Sequence, residues 1–168
     1  MFVFLRALHI VTGVFWAGTI FFTISFLMPA IKDVGPDGAK VFGALRARRM
    51  FNWVPAMALL SVLSGFWLYM IRMGDTTDWA RSREAMMLGT GGITALLALV
   101  IGLVGMRANS LKADDISKAA GPMAAGPEKD QLMGQAMSHR KKAMMAGRAV
   151  ATLLLITVIT MAIARYTV

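Results

Sequence analysis

The sequence has no cysteine. Disulfides, thiolate metal sites and cysteine nucleophiles are therefore excluded. It has only two histidines, His9 and His139, and no Asp or Glu falls inside any of its long apolar runs. A carboxylate proton relay or a cation-driven carrier built on buried acids has no residues to run on. Those runs also lack the apolar/polar alternation of barrel strands. No nucleophile–base pair, phosphate-cradling loop or metalloprotease motif occurs. Gly89-Thr90-Gly91-Gly92 is glycine-rich, but it opens an apolar run, where glycines serve close helix contact or a local distortion.

What is present is chiefly apolar. Hydrophobic residues make up 57% of the 168 and the mean hydropathy is +0.62, an excess that has to face something other than water. It gathers in four runs, at about Ala7–Met28, Trp53–Ile71, Met86–Met106 and Ala146–Ala164. A run of 22 residues reaches roughly 33 Å as a helix, enough for the hydrocarbon core. Basic residues bound the runs: Arg6, then Arg46, Arg48 and Arg49, Arg72, Arg83, Arg107, Arg148 and Arg165. The first run is too long for a signal h-region and lacks a small-residue cleavage site, so it reads as a retained span. The expected fold is all-α: one domain, a four-transmembrane-helix bundle.

The formal charge of +9 in so apolar a chain points to membrane loops and anionic lipid, with no nucleic acid expected. The Met28–Trp53 and Met106–Ala146 loops, with Arg148 beside the second, hold 13 of the 18 basic residues. The positive-inside rule then places both long loops in the cytoplasm and both termini outside, in a bacterial-type inner membrane. Trp53, Trp67, Tyr69, Trp79 and Tyr166 fall near span ends, where interfacial anchors belong.

Pro36-Asp37-Gly38 signals a turn into Ala39–Phe51, where Val41, Phe42 and Leu45 share one helical face. That segment reads either as a basic amphipathic helix on the leaflet or as a charged lead-in to the second span. Between Arg107 and Met145 the strong breakers are Gly121-Pro122 and Gly126-Pro127. Helix formers fill both sides, and Glu128 and Asp130 suit the positive end of a helix opened by Pro127. The third and fourth spans should therefore continue as a cytoplasmic antiparallel hairpin over 107–145, the alternative being a disordered linker. Thirteen residues per arm give a stalk of about 20 Å.

His9 is the one imidazole near hydrocarbon, on a face shared with Thr12, Gly13, Trp16, Thr19 and Thr23. Small and hydrogen-bonding residues at this spacing are what helices in lipid use against each other. Matching stripes are Ala58, Ser61 and Gly65 in the second span, and Ala95, Ala98, Gly102 and Gly105 in the third. Gly147 and Ala151 supply the fourth. His9 is thus either a hydrogen-bonded packing residue or an axial ligand to haem b or copper. The thioethers of Met70, Met73, Met86 and Met87 fall toward the same membrane side and complete a candidate Cu(I) set. Met28, Met50, Met106, Met144 and Met145 crowd the other side, as filler would.

Leu8-His9, Gly13, Trp16-Ala17-Gly18, Phe21-Phe22 and Pro29 together resemble the opening helix of CopD-like copper-resistance membrane proteins. Arg48-Arg49-Met50-Phe51-Asn52-Trp53 and Ser64-Gly65-Phe66-Trp67 resemble that family's second helix. The histidine followed by tryptophan is also similar to HemJ-type protoporphyrinogen oxidases. The likeness covers Leu5 to Met73. It implies a four-helix unit handling copper or haem b near the outer face, with His9 as ligand. A second histidine for bis-histidine ligation is missing from the bundle. From the residues alone, two functions remain: a non-catalytic subunit of a larger membrane assembly, such as a respiratory or photosynthetic complex, and a CopD-like copper or haem b protein.

Overall fold

The computed structural model describes residues 1–75 and 78–167, without the side chains of residues 36, 39 and 75. The elements are α1 (Phe2–Phe22), α2 (Met28–Asp33), α3 (Gly38–Ala47), α4 (Met50–Asp75), α5 (Arg83–Ile101), α6 (Ala108–Ala120) and α7 (Pro127–Ile163). Short 3-10 turns cover Gly35–Asp37, Trp79–Arg81 and Ala164–Tyr166. No strand occurs among the described residues. Four helical stretches are long and apolar enough to cross a membrane: Phe2–Asp33, Met50–Gly74, Arg83–Ala120 and Pro127–Tyr166. The chain is a multi-pass, all-α membrane bundle.

The first span runs past Met28, the end expected from Pro29, and continues to Asp33. A π turn at Thr23–Leu27 joins α1 to α2, and Pro29 sits in the first turn of α2. Proline has no N–H and its ring crowds the carbonyl four residues back, which the wider turn accommodates. In that turn the backbone N–H of Thr23 takes the carbonyls of both Thr19 and Ile20. Its Oγ1 is the one buried side-chain polar atom without a partner among the described residues. A second π turn, Gly102–Arg107, joins α5 to α6. Ile24 of the first π turn and Met106 of the second both reach α7. A Cβ built on Gly147 would lie 2.6 Å from Ile24 Cδ1 and 3.5 Å from Met106 Sδ.

The Ala39–Phe51 segment resolves into α3 and a break at Arg48–Arg49, before α4. Arg49 has φ +58°, and its carbonyl accepts the N–H groups of Asn52 and Trp53, starting α4. Ser82 caps α5, its Oγ accepting the Ala85 N–H at 3.1 Å.

α1 lies against α4 and α5 against α7, while α1–α7 and α4–α5 contacts close the ring. Trp16, Ile20, Ala58, Ala98, Leu99, Val150 and Leu154 form its centre. Among the described residues ten of the 15 buried apolar ones are alanines, whereas Val3, Phe4, Val14, Leu63, Phe66, Ile93 and Val104 are exposed. Water-soluble bundles bury their bulk; here the bulk faces outward, as lipid permits.

The hairpin is built as expected. α6 and the start of α7 run antiparallel about a Gly121–Gly126 turn, packed through Ala113, Ala120, Ala136 and Ala143. α7 has 37 residues, about 55 Å at 1.5 Å each, against roughly 30 Å of hydrocarbon. Arg46 of α3 pairs with Asp114 and, at 3.3 Å, with Asp115 of α6. The amphipathic helix is thereby tied to the stalk.

Candidate functional site: the His9 seam

His9 stands on α1 against Ser61 and Gly65 of α4. Its Nδ1 lies 2.8 Å from the Ser61 carbonyl. A carbonyl only accepts, so Nδ1 carries the proton, and in the neutral ring Nε2 keeps its lone pair. The imidazole lies over Gly65, where a Cβ would come within 2.7 Å of Cε1 and 2.9 Å of Nδ1. Only glycine leaves room for the ring. One turn on, a Cβ on Gly13 would be 3.1 Å from Ser61 Oγ, and that hydroxyl reaches back toward the His9 carbonyl at 3.5 Å. Thr12 and Ser64 satisfy their hydroxyls within their own helices, on the carbonyls of Leu8 and Leu60. Beside this seam an apolar groove of about 180 Å³ runs along Leu5, Leu8, Leu60, Leu63, Ser64 and Trp67.

The residues of the expected packing stripe differ in burial. Thr12, Trp16, Ser61 and Ala98 are buried, and a Cβ on Gly102 would meet Val150 at 3.9 Å. Thr19 is only half-buried; Ala17 and Ile20 take the core-facing positions beside it. The glycine-rich opening of α5 serves close contact: a Cβ on Gly91 would lie 2.8 Å from Thr160 Oγ1. The members of the candidate copper set have different described neighbours. His9 meets Ser61 and Gly65, while Met86 and Met87 line a recess with Arg83, Thr90, Tyr166 and Thr167. Met70 and Met73 are exposed on α4 and do not line that recess. Among the described residues no three His, Cys, Asp or Glu side chains converge. His9 alone offers a ligand nitrogen in the bundle, since His139 sits in the stalk, 2.7 Å from Asn109 Oδ1.

Two contacts went unread in the sequence. Pro55 lies inside α4 and cannot donate to Phe51, so the Phe51 carbonyl is left free. Arg107, at the end of the second π turn, donates Nε to that carbonyl at 2.9 Å and a second nitrogen to Asn52 Oδ1 at 3.2 Å. The signal was available: a proline one turn into a span, and an arginine closing the next span at the same membrane face. The second is Thr94–Thr157, whose hydroxyls meet at 2.8 Å between α5 and α7.

No protein-family model, curated protein or solved structure matches this chain. Fold and site therefore define a class alone: a polytopic α-helical membrane protein with a polar first seam and a helical hairpin that extends its last two spans.

Proposed function

We propose that the chain is a non-catalytic subunit of a larger membrane assembly, of the respiratory or photosynthetic electron-transfer kind, and that the stalk is its docking element. The observation that carries this is the surface of the hairpin. Its alanine seam is consumed internally, yet Met133 is 40% and Met137 70% exposed, one turn apart on α7. Thioether side chains in water at a helix face adapt readily to a partner. Arg140, Lys141 and Lys142 border them, which favours a partner with acidic residues or anionic lipid at that face. The 13-to-5 basic asymmetry supports a cytoplasmic stalk, termini outside and an inner-membrane location.

The test is native electrophoresis of gently solubilised membranes. The intact chain should migrate with partner subunits, and Met133→Glu with Met137→Glu should release it as a folded bundle. Migration as a single chain from native membranes would overturn the proposal. For orientation, cysteines placed at Ala44 and Ala80 should react with an impermeant maleimide on intact cells only at the second.

The CopD-like reading, with a HemJ-type oxidase as its enzymatic form, keeps one specific support. The Nδ1–H bond from His9 to the Ser61 carbonyl is how a haem- or copper-ligating histidine fixes its other nitrogen. A Soret band in the purified protein, lost in His9→Ala, would put this reading first.

A further inference from the structure

Opposite the stalk, the start of α5 and the end of the last span enclose a recess of about 380 Å³, lined by Arg83, Met86, Met87, Thr90, Tyr166 and Thr167. Its hydrogen-bond inventory is lopsided. The hydroxyls of Thr90 and Thr167 spend their protons on the carbonyls of Met86 and Ala164. The Tyr166 oxygen accepts from Arg165 at 2.5 Å, so its own proton remains to be given. Arg165 also lies over the Tyr166 ring, 4.6 Å from its centre. The adjacent carboxylate, Glu84, is held by Arg72 at 3.4 Å and by the Trp79 indole N–H at 2.9 Å. Among the described residues neither Arg83 nor Arg165 meets a carboxylate. The recess is thus lined by two residues that carry hydrogen-bond donors, Arg83 and Tyr166, with Arg165 beside Tyr166 and, among the described residues, no carboxylate paired with either cation.

We propose that this recess binds the phosphodiester headgroup of an anionic phospholipid in the leaflet opposite the stalk. Arg83 supplies the planar fork that matches a phosphate, and Tyr166 adds an O–H donor. A lipid, rather than a free anion, is indicated by what lies beside the donors. Met86 and Met87 line the same recess one turn into the span, and Met86 is 58% exposed. A headgroup at Arg83 would lay its glycerol and first methylenes on those thioethers. Inorganic phosphate would leave them uncovered.

The experiment uses the full chain in nanodiscs of phosphatidylcholine, alone or with phosphatidylglycerol, and counts retained phosphatidylglycerol by native mass spectrometry. The intact chain should retain it selectively. Arg83→Gln combined with Tyr166→Phe should weaken retention by roughly tenfold or more, the loss of one charged and one neutral hydrogen bond. Arg81→Gln, an exposed arginine that does not line the recess, should leave it unchanged. Thr90→Trp, which fills the recess and keeps every cation, should abolish retention. Equal losses in Arg81→Gln and Arg83→Gln would reduce the effect to general surface charge and overturn the site. Retention unaffected by Thr90→Trp would overturn it too, as would displacement of the lipid by inorganic phosphate alone.

Discussion

The seam between α1 and α4 carries an imidazole–carbonyl bond across two helices, whereas the seam between α5 and α7 sets a single hydroxyl pair, Thr94–Thr157, among the small residues Gly91, Ala95 and Ala98. Both solve the same problem. In lipid, apolar side chains gain nothing by meeting each other, so helices associate through close van der Waals contact and interhelical hydrogen bonds. The difference lies in reach. A polar contact such as His9–Ser61 serves one depth, and that pair is linked through α2 and α3. Alanine and glycine contacts depend on backbone approach alone and work equally well in water. The second pair therefore continues through Ala113, Ala120, Ala136 and Ala143 as the stalk without changing its packing.

The sharpest way to break this comparison is to remove the backbone approach. A Cβ on Gly105 would lie 2.8 Å from the Cβ of Ala146, a short side chain with no rotamer to retreat into. Gly105→Val should destabilise the bundle by about 1–3 kcal/mol in a denaturant titration and loosen the stalk with it. A bundle of unchanged stability would mean that close approach does not hold the second pair.

A smaller effect is expected where the two pairs are joined. Arg107→Ala should cost about 1 kcal/mol, because the Phe51 carbonyl freed by Pro55 loses its donor at a partly solvated position. Pro55→Ala restores the missing N–H and should largely cancel that loss. Additive behaviour in the double variant would separate the two residues.

The smallest is expected at the first seam. His9→Ala should cost about 0.6 kcal/mol for the lost hydrogen bond, the average for interhelical bonds in lipid. The ring also covers Gly65, so Gly65→Ala in the His9→Ala background should be tolerated better than in the intact chain. A His9→Ala variant of normal stability that loses bound haem or copper would recast the seam as a ligand site.

Periodicity and composition alone determined the four spans, the hairpin and its Gly–Pro tip. Each is a local consequence of which side chains tolerate lipid and which residues break a helix. The small-residue stripes were legible for the same reason, since the helical repeat is a property of one segment. Partner and register were not. His9 meets Gly65 and Ser61 across 52 residues or more, and two stripes on separate helices do not state their relative depth. The rotation that buries Ala17 and Ile20 and half-exposes Thr19 was equally hidden, because it is set by where α4 and α7 lie around α1. The π turns and the Arg107 clamp were decided by the tertiary structure, through contacts between segments that no single stretch of chain encodes.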